Sequence, residues 1–522
     1  MDEKANDILF IGISGMGGMG KTTVARVMYD MIHWKFECSC FLANDNTGKI
    51  ETIFLEMPRA KEAQWSMKAF SKMTKLRLLK IHNVDVSEGP EYLSNELRFL
   101  EWHAYPSKSL PACFQPDELI ELCMSCSSIE QLWYERNMNC LRELRLDGTA
   151  ITELPSSFNR LAGLVLLNMS SCKNLESIPS SISGLKSLKK LDVSDCSELK
   201  NIPENLGKVE KELDLRACKL GEGAVPEDIG LLSSLRSLNL SENNFVSLPK
   251  SINQLSRLEK LALKDCVMLE SLPEVPLQVQ KVKFDGCQRL KEIPDPIKLS
   301  SMKRSEFKCL NCWELYEHNG QNNMGLSMLE KYLQGSLPRP GFGIVVPGND
   351  VPDWFNHQSK ESSIRVQIPR NEVQIPRNEW MGFAACVAFS AYGKSPLFCH
   401  FKVDGKESYP SPMYIGCNSM QVVSDHLWLF YLSFDYLKDL KEQNNKAFSN
   451  LELSFHSYER GVKVKNCGVH LILMVNDMDW PVGNKFHGTD LESVLNFLKK
   501  IRGEGNERDI DFEFDVTQLV KS

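Results

Sequence analysis

Apolar residues recur along the middle of the chain in a unit that changes little from one copy to the next. Between residues 141 and 294 the unit reads Leu-x-x-Leu-x-Leu, followed by Cys, Asn or Thr, and it closes on Leu-Pro or Ile-Pro. Successive units are 21 to 25 residues apart, a period that indicates leucine-rich repeats. The last two apolar residues of each triplet alternate on a short strand, so both point inward. No single repeat can bury its own face, and stacked repeats therefore form a curved solenoid with one continuous core.

The position after each strand triplet is also regular. Asn at this position can bond the backbone groups of the turn, and Cys is small and packs well there. Cysteine fills it in five repeats, namely at Cys172, Cys196, Cys218, Cys266 and Cys287. One repeat departs from the pattern because Glu210 occupies its first apolar slot, which predicts a weakened or distorted coil. Weaker triplets, such as Leu76-Leu79-Ile81, extend the array toward the N-terminus, so we predict about ten coils over residues 76–299.

A different motif lies near the start of the chain. The run Ile8 to Ile13 predicts a buried strand, and the next stretch matches G-x-x-x-x-G-K-[ST] before a predicted helix from Thr23 onward. Such a loop holds phosphates with backbone N–H groups; Lys21 reaches the β- and γ-phosphates and Thr22 holds Mg²⁺. The predicted nucleotide-binding residues are Gly15, Gly17, Gly18, Gly20, Lys21, Thr22 and Thr23.

The remaining parts of a P-loop enzyme do not follow this motif. Hydrolysis needs an apolar strand that ends in Asp and further parallel strands, but after residues 40–44 the chain passes to a linker and the first repeat. The run from Leu427 to Asp435 has a suitable composition, although its position favours a sandwich strand. We therefore predict that residues 1–45 are a P-loop remnant with weak affinity for ADP or ATP with Mg²⁺, and with little or no hydrolysis.

The flanking segments give further predictions. Residues 46–75 form a linker that is extended from Ile50 to Pro58 and helical from Lys61 to Phe70, where it caps the array. Residues 300–340 form a transition with a short helix at 325–333. Short apolar runs between Gly and Pro predict an antiparallel β-sandwich over residues 341–483. Residues 484–522 form a tail with a helix at 491–501. Residues 366–372 recur unchanged as 373–379, and one copy should loop out because seven is an odd register shift.

Composition narrows the class of protein. The 522 residues carry a net charge of −7, which does not favour nucleic-acid binding. The regular placement of cysteines predicts packed thiols in a reducing compartment rather than disulfides. We find no apolar run of about 18 residues and no secretory signal, and we expect a cytoplasmic protein, with the nucleus as the alternative.

Two Cys-x-x-Cys pairs, at Cys123 and Cys309, lie too far apart along a solenoid for one zinc site. No catalytic motif is present, so we predict no enzyme activity and no metal site.

Several segments together resemble the plant TIR–NB-ARC–LRR disease-resistance receptors. The matching stretches are Gly15-Met-Gly-Gly-Met-Gly-Lys-Thr-Thr-Val-Ala, Cys40-Phe-Leu-Ala-Asn, the segment from Glu62 to Phe70, Ser128-Ile-Glu-Gln-Leu-Trp and the stretch from Pro347 to Ser359. The resemblance implies an α/β leucine-rich-repeat solenoid with an N-terminal P-loop strand–helix remnant and a C-terminal all-β, jelly-roll or Ig-like sandwich. In this family a nucleotide domain switches between ADP and ATP states, while the repeats and the sandwich hold pathogen effectors. The family's TIR domain and most of its NB-ARC domain are not found in this sequence, so we expect a truncated receptor.

Strand alternation also predicts a binding surface. Outward positions carry both charge signs, with acidic residues toward the middle and lysines toward the C-terminal end, which suits a protein partner. A merely solvated face is the alternative. The predicted partner-binding residues are Glu143, Arg145, Asp192, Asp214, Arg216, Asn239, Lys260, Lys264, Lys281 and Lys283. Reversing the four lysines to Glu should weaken binding of an acidic partner.

Three functions remain open from the sequence. The first is an intracellular immune-receptor fragment that recognises an effector or a host protein through its repeats and sandwich in defence signalling. The second is an ADP/ATP-binding P-loop switch. The third is a non-signalling decoy or regulator that pairs with intact receptors of the same family.

Overall fold

The computed structural model describes most of the repeat region and most of the sheet strands that follow it. The described residues are 39–44, 50–62, 67–131, 138–293, 304–318, 324–334, 341–368, 380–391, 396–407, 413–415, 425–433, 450–458 and 461–473. The P-loop, the second copy of the duplicated heptapeptide and the predicted tail helix lie outside these ranges.

Eleven parallel strands run through the repeat region and build one sheet. They are β3 Leu78–Asp85, β4 Phe99–Trp102, β5 Glu121–Cys123, β6 Glu143–Arg145, β7 Leu166–Asn168, β8 Lys190–Asp192, β9 Glu212–Asp214, β10 Ser237–Asn239, β11 Lys260–Ala262, β12 Lys281–Lys283 and β13 Ser305–Lys308. Each central apolar residue pairs in register with the next along the stack, for example Leu144 with Leu167 and Leu167 with Leu191. Leu144, Leu167, Leu191, Leu238 and Leu261 are all buried in one apolar cluster. The predicted stacking and inward face are confirmed.

The return segments on the outer side are short 3₁₀ helices. Four lie at Ser156–Arg160, Ser180–Gly184, Glu227–Leu231 and Lys250–Gln254, each directly after a proline. A repeat of 21 to 25 residues leaves about five residues for this segment, which is too short for a stable α-helix. The predicted α/β class is therefore wrong for the described repeats, which form a β-solenoid with few helices.

The column after the strands contributes hydrogen bonds as well as packing. Each thiol donates to a carbonyl of the preceding coil; Cys172 bonds Leu146 O at 3.1 Å and Cys287 bonds Leu263 O at 2.9 Å. Asn243 takes the same position and bonds Leu215 O at 2.9 Å. Burial raises the pKa of the Cys172, Cys196 and Cys218 thiols, that of Cys218 to about 11, so these three stay protonated as donors.

The coil around Glu210 is regular, contrary to prediction. Leu213 lies in register between Leu191 and Leu238, and Cys218 bonds Val193 O at 3.1 Å as its counterparts do. Val209 is 1% exposed and fills the apolar slot, while Glu210 stays half-buried beside it. A one-residue shift therefore accommodates the charge without distorting the strand.

The array continues beyond its predicted end. Strand β13 pairs with β12 in parallel, and Cys312 donates to Phe284 O at 3.1 Å, as the column requires. The boundary at residue 299 was wrong because this coil hides its pattern: Arg304, Phe307 and Cys309 occupy the slots that leucines fill elsewhere. The predicted transition region thus contains a further repeat, followed by helix α1, Trp313–His318, and helix α2, Met324–Gln334. The helix predicted at 325–333 is confirmed.

The N-terminal edge of the sheet is closed by a strand pair rather than a helix. Strand β1, Ser39–Asn44, pairs antiparallel with β2, Ile50–Glu62, which runs parallel to β3. The extended stretch at 50–58 is confirmed, but the helix predicted over 61–70 is wrong, because residues 61–62 belong to β2 and residues 67–70 form a turn. Pairing with β3 satisfies the β2 backbone, which outweighs the local helical preference.

Beyond β13 the same sheet becomes mixed and a second sheet begins. The continuation contains β14 Gly341–Pro347, β15 His357–Ser359, β17 Trp380–Ala391, β21 Asp425–Ser433 and β23 Val462–Leu473. The second sheet contains β16 Ser363–Gln367, β18 Leu397–Val403, β19 Lys406–Glu407, β20 Met413–Ile415 and β22 Asn450–His456. Strand β21 pairs antiparallel with β14 and β17, which confirms the strand interpretation of the run at Leu427. One buried apolar cluster joins residues of both sheets, including Phe430 and Phe401.

A candidate protein-binding face

The inner side of the solenoid presents two rows of side chains, one on each side of the buried central residue. In β6 to β10 the first and third positions of each strand are half-buried or exposed, while the middle position is buried. The predicted residues Glu143, Arg145, Asp192, Asp214, Asn239, Lys260, Lys281 and Lys283 lie in these two rows. Arg216 and Lys264 lie two residues beyond their strands, at one edge of the face. We call this surface the concave face.

From β7 to β10 the third-position side chains are held by hydrogen bonds to the backbone. Asn168, Asp192, Asp214 and Asn239 each accept a hydrogen bond from the backbone N–H two residues ahead, at 2.9, 2.9, 3.0 and 3.2 Å. Asn239 also donates to Asp214 Oδ2 at 2.9 Å across the strands. Burial raises the pKa of Asp214 and the neighbouring charge of Asp192 adds to the shift, although hydrogen bonds to the carboxylate oppose it. These side chains are therefore preorganised for contact.

Several charges on the concave face are neutralised by ion pairs across adjacent strands. Lys190 lies 2.9 Å from Glu212, and Lys281 lies 3.3 Å from Glu306. A depression of about 170 Å³ lies between β6 and β9. Its lining residues are Arg145, Leu166, Leu167, Asn168, Lys190, Leu191, Asp192, Glu212 and Asp214.

The N-terminal end of the face is acidic. Burial raises the pKa of Glu121, and the negative charges of Glu143 and Glu101 raise it further. Glu101 behaves differently, because hydrogen bonds from His82 and Lys80 outweigh its burial and lower its pKa to about 2. Glu101 Oε1 lies 2.7 Å from His82 Nε2, and its Oε2 lies 2.6 Å from Lys80 Nζ.

The C-terminal end is basic and centred on a buried carboxylate. Asp285 has no exposed surface, and its Oδ2 lies 3.5 Å from Lys264 Nζ and 3.3 Å from Lys308 Nζ. Lys283 lies between Ala262 and Lys308 on adjacent strands. Sequence reasoning missed Lys308 because it belongs to the unrecognised coil. The spacing from Cys309 to Cys312, which repeats the end of a coil, was the signal that could have placed it.

A second exposed surface lies on the outer side of the second sheet. Phe398 pairs across strands with Tyr414 and with His456. Tyr414 and Tyr458 are 65% and 72% exposed, and the Phe398 ring lies 5.1 Å from that of Tyr458. His400 stacks on His456 at 4.4 Å, and burial together with the neighbouring His400 lowers the pKa of His456.

The remaining sequence predictions concern nucleotides, metals and membranes. The nucleotide-binding residues from Gly15 to Thr23 lie outside the described residues. Within the described ranges, no three His, Cys, Asp or Glu side chains are grouped closely enough to hold a metal ion. The helices of this part of the chain include none with the length and apolar character to span a membrane.

Comparison with known proteins gives matches for the repeats and for the domain that follows them. A family model described as leucine-rich repeats of RPS4B-like disease-resistance proteins matches residues 116–311, and the C-JID domain model matches residues 346–477. The chain is 24% identical to the disease resistance-like protein DSC1 of Arabidopsis thaliana, over 90% of this chain and 55% of that protein. It is 29% identical to the TMV resistance protein N of Nicotiana glutinosa, over 71% of this chain and 32% of that protein.

The chain therefore spans only about a third to a half of the length of these relatives. Among solved structures it is similar to the leucine-rich repeat domain of the type III effector XopL, with 24% identity, a TM-score of 0.31, and coverage of 34% of this chain and 63% of that one. The matches to curated proteins and to the two domain models agree along the chain. This protein is a homologue of the plant disease-resistance proteins of the TIR–NB–LRR class and carries their leucine-rich repeats and C-JID domain.

Proposed function

We propose that this chain serves in plant defence as a recognition module that binds another protein, a pathogen effector or a host protein, inside the cell. The concave face carries the contact, and the C-JID domain adds a second contact. The observation that supports this most is the rigid row of Asn168, Asp192, Asp214 and Asn239, whose side chains are fixed by backbone N–H groups yet remain partly exposed. Preorganised polar groups favour specific protein contacts over mere solvation.

The size of the face supports a contribution from both regions. Eleven strands at a spacing of about 4.8 Å extend for about 50 Å, and the two rows with their edges are about 10 to 15 Å wide. The resulting area of about 500 to 750 Å² is slightly below the roughly 800 Å² per partner of a standard interface. A stable complex therefore needs additional surface next to the concave face.

We propose that the C-JID domain supplies it. We propose that its two sheets form the predicted β-sandwich, with the second sheet on the same side as the concave face. Two observations support this arrangement. Val345 lies beside Lys308 in register and belongs to the apolar cluster shared with the second sheet. Arg304 Nη1 lies 2.7 Å from Met413 Sδ in β20. A partner on the concave face would meet this sheet at the C-terminal end.

A matched pair of bulky substitutions tests the proposed contact. Ala262 is half-buried at a third strand position of the concave face, whereas Ala162 is exposed in the turn after a 3₁₀ helix. Pathogen effectors and host proteins are first screened for binary binding to this chain, and hits are repeated with purified proteins. Ala262→Trp should raise the dissociation constant at least about tenfold, because the bulky ring excludes the partner. Ala162→Trp should leave the dissociation constant unchanged. Equal affinities for both variants would refute the concave contact.

Nucleotide binding remains a second candidate, supported by the full match of residues 15–22 to the P-loop motif. We infer weak binding of ADP or ATP with Mg²⁺ and no turnover. Isothermal titration of the wild type and Lys21→Ala tests this, because loss of the ammonium should abolish any phosphate-dependent heat. Micromolar or tighter binding in the wild type would favour the switch function instead. Co-precipitation with full-length relatives tests the third function, a regulator of intact receptors.

A further inference from the structure

The basic end of the concave face has an unbalanced charge. Two ammonium groups, those of Lys264 and Lys308, flank the single buried carboxylate of Asp285. Within the described part of the chain, Asp285 Oδ2 receives no well-directed hydrogen bond from either lysine. Asp285 Oδ1 accepts the backbone N–H of Leu310 at 3.2 Å. One carboxylate therefore offsets only part of the positive charge around it.

Lys283 adds a third cation to this corner. It is exposed at the third position of β12, next to Lys308 on β13. Its pKa is lowered by partial burial, then by the charges of Lys264 and Lys308, while Asp285 opposes the shift. Lys281, in the other row, is neutralised by Glu306 at 3.3 Å, so it contributes less to the corner. Lys260 is exposed on β11 beside Lys281.

The corner is bounded on one side. The sheet continues from β13 into β14, where Val345 enters the apolar cluster that includes the second sheet. Met413 of that sheet contacts Arg304, which precedes β13. The second sheet thus lies at the C-terminal end of the concave face, next to the lysines. A low-dielectric wall beside a set of like charges strengthens their attraction for an anion.

Resting on the proposed function, we propose that this corner, formed by Lys264, Lys283 and Lys308 around Asp285 and extended by Lys260 in the other row, binds an acidic segment of the protein partner. The opposite end of the same face decides between protein and nucleic acid. There Lys80 offsets Glu101 and Arg145 offsets Glu143, while Glu121 adds a further negative charge that would repel a continuous polyanion following the face. A protein with one acidic segment can place its carboxylates at the lysines and other groups at the acidic end.

The test replaces lysines by the neutral glutamine and leaves Asp285 and its two contacting lysines, Lys264 and Lys308, intact. Lys260→Gln with Lys283→Gln removes two cations from the corner, and Lys186→Gln with Lys250→Gln removes two exposed cations elsewhere, one of them at the start of a 3₁₀ helix. The probe is a fluorescein-labelled 12-residue peptide of alternating Glu and Ser, and its Gln counterpart is the control. Binding is measured by fluorescence anisotropy at two salt concentrations, and inositol hexakisphosphate is titrated as a compact anion.

The acidic peptide should bind the wild type, and the Gln peptide should not. The corner variant should weaken that binding about fivefold or more, the control variant should not, and added salt should weaken it further. No binding of the acidic peptide, equal loss in both variants, or far tighter binding of inositol hexakisphosphate at the same lysines would overturn the proposal.

The two proposals fail separately. If a purified partner loses affinity for Ala262→Trp but binds the corner variant normally, the proposed concave contact stands and the proposed acidic segment is refuted. If the affinity of the partner is unaffected by Ala262→Trp, the proposed concave contact is refuted, whether or not the acidic peptide binds.

Discussion

Asn243 occupies a position that cysteine fills in most of the neighbouring coils, and its replacement tests how that column holds the solenoid together. Its amide donates to Leu215 O and Leu240 O, both at 2.9 Å, and its Oδ1 accepts the N–H of Leu220 at 3.0 Å. The side chain has no exposed surface. Asn243→Ala removes these bonds from groups that water cannot reach.

The magnitude follows from the groups left without a partner. The Leu215 carbonyl and the Leu220 N–H each cost about 1 to 3 kcal/mol when unsatisfied, so Asn243→Ala should lower the free energy of unfolding by about 2 to 6 kcal/mol. Asn243→Cys should restore the bond to Leu215 O, as Cys266 does with Leu240 O at 3.3 Å. It leaves only the Leu220 N–H unpaired, and should cost about 1 to 3 kcal/mol.

Urea unfolding followed by far-UV circular dichroism measures these differences. Asn244→Ala is the matched control, because Asn244 is exposed beside Asn243 and its loss should change the free energy of unfolding by less than about 0.5 kcal/mol. The expected order of stability is wild type and Asn244→Ala, then Asn243→Cys, then Asn243→Ala. If Asn243→Ala matches the wild type, or Asn243→Cys is no better than Asn243→Ala, then the column does not act through hydrogen bonds.

Three further predictions concern individual side chains. Val209→Ala should lower the free energy of unfolding by about 1 to 3 kcal/mol and Glu210→Ala by less than about 0.5 kcal/mol in the same urea assay; the reverse order would place Glu210 in the apolar slot. Since the pKa of Glu101 is lowered to about 2 from its ordinary 4.5, its contribution to stability is full above about pH 4.5 and is lost as the pH falls toward 2. Glu101→Gln should make the urea midpoint depend less on pH over that range. A pH dependence equal to that of the wild type would contradict the assignment. Iodoacetamide should label the exposed Cys113 and Cys126 in the folded protein but reach Cys196 and Cys218 only after unfolding, as followed by mass spectrometry of peptides; early labelling of Cys218 would argue against its burial.

The strand triplets could be predicted because their chemistry is local. Alternation on a strand fixes which residues face inward, so Leu144, Leu167 and Leu191 were assigned to the shared core from spacing alone. The same alternation predicted the two rows of the concave face. Its rigidity could not be predicted, since the bonds of Asp192 and Asp214 to backbone N–H groups depend on how each strand ends.

The errors came from positions where tertiary contacts decide the structure. Strand β2 forms because β3 offers a ladder to its backbone, whatever the helical preference of its last residues. Strand β13 keeps the repeat geometry although Arg304 and Cys309 stand at the sequence positions that leucines fill in other coils, so pattern matching ended the array too early and missed Lys308. The α/β class was predicted from the resemblance to a receptor family. The return segments of this chain are too short for α-helices, and their length alone could have corrected that prediction.

Site-specific photocrosslinking tests the central claim, that the concave face contacts a protein partner, most directly. p-Benzoylphenylalanine is placed at Ser237, in the first-position row of β10, or at Asn253, exposed on a 3₁₀ helix of the outer side. Each protein is irradiated with a purified partner and the adducts are mapped by mass spectrometry. Crosslinks from position 237 and none from position 253 are the predicted result; crosslinks from position 253 alone would contradict it.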